Sequence, residues 1–123
     1  MSHLAYSPRA YRESAVLSAP PEKLVVMLYD GARRFLHQAA AAMREGEIEA
    51  SHNKLRRAED ILTHLRDSLD LEQGEIAERL QSIYYFCQRH LREARFERDP
   101  AKIEQVSRLL GTLREAWAAI ENR

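Results

Sequence analysis

Proline is almost absent from the body of this chain. Its four prolines stand at positions 8, 20, 21 and 100, and none falls inside a periodic apolar stretch. An interior proline removes a backbone donor and clashes with the preceding turn, so this placement leaves four uninterrupted helical windows. The first follows Pro20 and Pro21, where Leu24, Leu28, Gly31, Phe35, Ala39 and Ala42 step by three and four. Val25, Ala32, Leu36 and Met43 widen that stripe, and Arg44, Glu45 and Gly46 end it. The second runs from Glu47 to Leu71 on Ile48, Ser51, Leu55, Ala58, Leu62, Leu65 and Leu69, with Ile61 beside them. The third follows Gln73 and Gly74 and carries Ile76, Leu80, Ile83, Cys87, Leu91 and Ala94. The fourth opens on Asp99, a side chain suited to capping free amides, and on Pro100, whose missing donor is harmless at a first helical position. Ile103, Val106, Leu110, Leu113, Trp117 and Ile120 form its stripe.

Four helices of about 20 to 25 residues, each roughly 30–38 Å long, joined by very short links at Gly46, Gly74 and Asp99, have to run antiparallel to their neighbours. The expected fold class is therefore all-α: an antiparallel up-down four-helix bundle over residues 20–123, preceded by an extended N-terminal arm, residues 1–19. The arm holds Tyr6, Tyr11, Val16 and Leu17 without a sustained period. It reads either as a frayed terminus or as a tether whose tyrosines dock on the bundle or on a partner. Gly31 and Gly111 fall inside helical windows, where glycine is about 1 kcal/mol less favourable than alanine. Close helix packing accounts for both, and for Gly31 a groove admitting a partner helix does so equally well.

Composition narrows the function. Apolar residues make up 45% and charged residues 31% of the 123, which suits a folded domain with one core. Lys plus Arg and Asp plus Glu are both 19, so the basic surplus of a nucleic-acid binder is missing. No apolar run approaches the ~20 residues of a membrane span, and the N-terminus does not read as a signal peptide. The lone Cys87 excludes an internal disulfide, and on an apolar stripe it reads as a small hydrophobe. A di-metal bundle needs two Glu-x-x-His motifs; only Glu49–His52 matches, and it reads as a solvated surface pair. His52, Asn53 and Lys54 lack the neighbouring glycine that would open room for phosphotransfer. With no phosphate loop, nucleophile elbow or paired carboxylates, the chain reads as a non-enzyme without cofactor or metal, working by surface binding.

Several segments, in order, resemble one family. Pro21-Glu22-Lys23-Leu24-Val25-Val26-Met27-Leu28-Tyr29-Asp30-Gly31-Ala32, Ala10-Tyr11 in the arm, Ala58-Glu59-Asp60-Ile61-Leu62, Leu69-Asp70-Leu71 with Gly74-Glu75-Ile76-Ala77, and Leu110-Gly111-Thr112-Leu113-Arg114-Glu115-Ala116-Trp117 are similar to motifs of the flagellar secretion chaperone family FliS. The chain departs from those motifs at Pro20, at Gln73 and along Arg79 to Cys87. The resemblance implies a cytoplasmic chaperone that binds the disordered C-terminal segment of flagellin, prevents its premature polymerisation and assists delivery to the export-gate protein FlhA. It also implies that the arm covers part of the client groove when no client is bound, with Tyr6 and above all Tyr11 contacting the export gate. Leu24, Leu28 and Phe35 are then expected in the core, and Val25, Met27, Tyr29 and Ala32, flanking that stripe, are the client-binding candidates. Asp30 reads as a cap-like or inter-helix acceptor. The competing reading is a self-associating structural bundle, its apolar surplus covered in a homodimer, with no export client.

Overall fold

Each helix boundary has a local chemical cause. The computed structural model describes residues 21–121, and the expected arm, with Tyr6 and Tyr11, lies outside them. Helix α1 spans Pro21–Arg44 and stops at Gly46, whose φ of +77° favours glycine. The Gly46 N–H donates to the Met43 carbonyl at 3.1 Å and that of Glu47 to Ala42 at 2.9 Å, which closes the helix end. Helix α2 spans Ile48–Asp67 and ends four residues before the expected Leu71. The Ser68 hydroxyl bonds back to the Leu65 carbonyl at 2.9 Å, and the Asp70 carboxylate accepts from the Glu72 N–H at 3.1 Å and the Gln73 side chain at 3.2 Å. Short polar side chains compete here with the helical ladder, and the chain turns through a 3-10 segment, Leu71–Gln73. Gly74, at φ +107°, then starts α3, Glu75–Glu97. This helix ends on Arg98 in the left-handed region, φ +54°. Helix α4, Pro100–Glu121, opens as expected: the Asp99 carboxylate accepts the Ala101 N–H at 3.0 Å.

Inter-helix bonds show the antiparallel order residue by residue. Between α1 and α4, Asp30 pairs with Arg114 at 2.9 Å and Arg44 with Glu104 at 2.6 and 2.8 Å. Between α2 and α3, Glu59 pairs with Arg95 at 2.6 Å, and Gln88 donates to Thr63 at 2.9 Å. Between α3 and α4, His90 meets Gln105 at 2.6 Å and Lys102 meets Glu93 at 3.1 Å. In every case one number climbs as the other falls. Helix α1 lies close along α2 and α4, whereas α3 packs on the same two neighbours more distantly. The molecule is an antiparallel four-helix bundle.

The α2 stripe forms its core face as expected: Ser51, Leu55, Ala58, Leu62 and Leu65 are buried. In α4, Ile103, Val106 and Leu110 are buried, while Leu113 and Trp117 are half-buried and Ile120 is exposed. The other two faces are rotated from expectation. On α1 the interior residues are Tyr29, Ala32, Leu36, Ala39 and Met43; Leu24, Leu28 and Phe35 are only half-buried. Leu28, Gly31 and Phe35 instead line the seam toward α2, where a Cβ on Gly31 would touch Ile61 and where Lys54 and Arg57 lie 5.7 Å from the Phe35 ring centre. On α3, Ala77 and Tyr84 take the interior places expected for Ile76 and Ile83. The two helical glycines also separate. A Cβ at Gly31 meets the Ile61 Cδ1 at an ordinary 3.5 Å, so no close backbone approach requires it. At Gly111 a Cβ would lie 2.9 Å from the Arg33 guanidinium, which packs across α4 at that point.

Candidate functional site

The early end of α2 opens the bundle at one end. There α1 begins, α4 finishes, and the chain swings outward through Leu71–Gln73 before α3 starts. A hollow of about 370 Å³ results, walled by Val25, Leu65, Leu69, Ile76, Tyr84 and Trp117, with Asp70 and Gln73 at its rim. Its floor carries one polar feature. The Tyr84 hydroxyl meets that of Tyr29 at 2.5 Å across the diagonal between α1 and α3. Burial raises the pKa of both hydroxyls above the ordinary tyrosine value, so the pair stays neutral. One turn on, burial pushes the Cys87 thiol up to about 12, which leaves it protonated and unreactive at neutral pH.

Beyond the hollow, apolar side chains that are half-buried or exposed border the seam between α3 and α4 and make it an apolar furrow. The His90–Gln105 bond marks this seam. Phe86 and Ile83, four and seven residues before His90, lie on the same side of α3. Phe86 is 41% exposed and its ring stacks on the His90 imidazole at 5.1 Å. On the α4 side, Leu109 and Leu113 are half-buried and Ile120 is 45% exposed. Ile76, 75% exposed, joins furrow to hollow.

The four bundle residues expected to contact a client are not brought together. Val25 is half-buried and forms one wall of the hollow. Met27 is exposed on the outer side of α1, away from the hollow. Tyr29 and Ala32 are corrections to the surface reading: both are fully buried, Tyr29 against Tyr84, and neither presents surface. The neighbouring Asp30 is the inter-helix acceptor, holding Arg114 of α4. The reading from sequence missed Tyr84, Phe86 and Trp117 as site residues. The signal lay in the width of the α3 stripe: Ile76, Ile83 and Phe86 beside Ala77, Leu80 and Tyr84 make an arc wider than its loosely packed neighbours cover. Among the described residues, no three His, Cys, Asp or Glu side chains gather to hold a metal, and no helix is long and apolar enough to cross a membrane.

Polar groups here serve mainly to join helices, and the open features are apolar, so the fold and site define a helical binding module. The family model of flagellar protein FliS matches residues 3–123. The chain is 39% identical over 110 residues to the flagellar secretion chaperone FliS of Salmonella typhimurium, covering 88% of this chain and 82% of that one. It is 32% identical over 122 residues to the FliS chaperone of Campylobacter jejuni, covering 98% and 94%, and 32% identical over 111 residues to the chaperone FliSB of Pseudomonas aeruginosa, covering 89% and 88%. The chain belongs to the FliS family of flagellar secretion chaperones.

Proposed function

We propose that this chain works in the cytoplasm, binds the disordered C-terminal segment of flagellin, and holds it unpolymerised until delivery to the export-gate protein FlhA. The observation that carries the reading is the uncovered apolar path from the hollow at Val25, Tyr84 and Trp117 along the furrow at Ile83, Phe86 and Leu113. A disordered amphipathic segment gains helix only when its apolar face is covered. Ordering it costs on the order of 2–5 kcal/mol, which a long wrapped contact offsets while remaining releasable. The path suits that occupant better than a small rigid ligand, because its exposed and half-buried apolar side chains extend well beyond the one hollow. Binding uses shape and apolar contact, without catalysis, metal or cofactor. Val25 remains the client-contacting candidate on α1, from within the hollow, and Met27 lies off this path. Tyr6 and Tyr11 of the arm are assigned to the export gate.

Titrating a flagellin C-terminal peptide into the protein, followed by calorimetry and far-ultraviolet circular dichroism, tests the reading. A one-to-one complex with a gain of helix is expected. Ile76→Asp and Phe86→Asp weaken it at least about tenfold with the melting temperature nearly unchanged. Tyr11→Ala leaves peptide binding and melting temperature intact but weakens capture by FlhA. Absence of peptide binding by the wild-type protein refutes the proposal.

A further inference from the structure

A second feature lies across the bundle from the furrow, in the seam between α1 and α2. From Gly31 to Arg44 helix α1 has no acidic residue, and from Ala50 to Ala58 neither has α2. The two stretches meet where Phe35 of α1 reaches α2, and three cations gather on that one ring. The Arg34 guanidinium lies 6.0 Å, the Lys54 ammonium 5.7 Å and the Arg57 guanidinium 5.7 Å from the ring centre. Cations elsewhere in the bundle are neutralised across helices, as in Arg44–Glu104, Arg95–Glu59, Lys102–Glu93 and Arg114–Asp30. Arg34, Lys54 and Arg57 hold no carboxylate among the described residues.

Like charges so close repel one another, and a chain with no net charge has acids enough to separate them. The π face of Phe35 offsets part of that repulsion and also fixes where the cations stand. The ring is half-buried between the helices, so it is a rigid anchor. A ligand therefore meets the three groups already in place, and less ordering opposes its binding. Arginine presents a planar fork that matches a carboxylate with two parallel N–H donors, and lysine adds a point charge. Gathered cations of this kind recognise acidic motifs.

We infer that the α1–α2 seam at Phe35 docks an acidic segment of a second partner protein, a short run of side-chain carboxylates. The chain's own first twenty residues are the wrong sign for this place, since Arg9 and Arg12 outnumber Glu13. A broad polyanion, a lipid surface or a nucleic acid, fits it less well. Spread over this face, it would also cover the exposed Asp60, one turn on from Arg57, and the exposed Glu45, Glu47 and Glu49 at the α1–α2 connection. A short segment laid over the ring meets cations alone. The seam lies opposite the α3–α4 furrow, because α1 packs on α2 and α4 and does not reach α3. The acidic segment and a client in the furrow can therefore be held together, and the inference does not depend on the client reading.

Fluorescence anisotropy on the full chain tests it, with a labelled peptide of alternating Glu and Ala as the probe. The wild-type protein binds the probe with a dissociation constant on the order of 10–100 μM at low salt, and added salt weakens it. Arg34→Ala, Lys54→Ala and Arg57→Ala each weaken it about five- to tenfold. Arg92→Ala, which removes an exposed and equally unpaired cation of α3, leaves it unchanged. Circular dichroism melts confirm that each variant folds. Saturating flagellin C-terminal peptide does not displace the probe. A probe that fails to bind, or whose binding falls as much with Arg92→Ala as with Arg57→Ala, overturns the inference. So does displacement by the flagellin peptide, which would assign the seam to the client. Vesicles rich in phosphatidylglycerol, or single-stranded DNA, that bind more tightly than the probe and lose that binding in the same three variants also overturn it. Failure of the flagellin peptide to bind leaves the anisotropy result standing.

Discussion

The Tyr29–Tyr84 pair gives the sharpest test of how this bundle is held together. Both rings are almost fully buried, at 0% and 2% exposure, and their hydroxyls bond each other across the diagonal, with the Trp117 indole beside the Tyr29 hydroxyl. Replacing one tyrosine by phenylalanine keeps the ring and orphans the other hydroxyl. A buried polar group left without a partner costs about 1–3 kcal/mol, whereas removing both partners is close to neutral. Tyr84 also borders the hollow, and the Tyr29 hydroxyl has the Trp117 indole as a second neighbour. Each single change therefore costs about 1–2 kcal/mol. At roughly 4 °C per kcal/mol for a chain of this size, the melting temperature falls by roughly 4–8 °C in each. The double variant falls by less than about 4 °C, which makes the two changes strongly non-additive. Thermal denaturation of the three variants by circular dichroism decides the matter. A double variant that falls by the sum of the singles would show that the hydroxyls do not satisfy each other, and the argument for a sealed floor would fail.

Four further outcomes follow from local geometry. Arg98→Gly relieves a left-handed backbone at φ +54° and raises stability by about 0.5–1 kcal/mol in chemical denaturation. Gly31→Ala, whose Cβ meets only ordinary contacts, stabilises α1 by up to about 1 kcal/mol; Gly111→Ala, which has to push the Arg33 guanidinium aside, gains measurably less. Asp70→Ala removes the acceptor that folds the Leu71–Gln73 turn, costs about 0.5–1 kcal/mol, and weakens flagellin-peptide binding measured by calorimetry. In alkali, the Cys87 thiol has its folded pKa raised from 9.0 to about 12, so its contribution is whole below pH 9 and is lost as pH climbs toward about 12. The tyrosine pair, also raised, adds to that loss above its ordinary value of 10.0. Melting temperature holds steady from neutral pH to about 9 and then falls, and Cys87→Ala delays the onset.

Helix number, order and direction were legible in the sequence because prolines, glycines and Asp99 punctuate it cleanly. The buried residues of α2 were legible too, because that helix has a single narrow stripe. On α1 the reading centred the stripe off the interior. It stepped through Leu24, Leu28, Gly31, Phe35, Ala39 and Ala42 with Ala32, Leu36 and Met43 at the margin, whereas Tyr29, Ala32, Leu36, Ala39 and Met43 make the interior repeat. Both are apolar because α1 lies close along two neighbours, so its apolar arc includes a seam as well as the interior. Period alone cannot say which repeat is central. The same ambiguity hid the site: Ile76 and Ile83 were read as core because nothing in their spacing reveals that α3 stands further from its neighbours. The end of α2 was misplaced because Leu69 and Leu71 continue an apolar pattern that the Asp70 side chain cuts off.

That cut links the fold to the function. Had α2 continued to Leu71, its last turn would have extended the bundle over the space between Val25 and Trp117. Instead a carboxylate that accepts from Glu72 and Gln73 folds the chain outward and leaves the hollow open. At the opposite end, Arg44–Glu104 and Lys102 with Glu93 and Glu97 tie the helices together. The α1–α2 and α1–α4 seams are close, so the looser furrow beside α3 is where a foreign helix can lie without breaking the bundle. The Asp30–Arg114 pair, which joins α1 to the far part of α4, holds Trp117 at the hollow's edge while Tyr84 defines its floor. Openness on one side of the bundle is thus set by rigidity on the other, which is what a chaperone needs if its groove is to stay formed while its client is disordered.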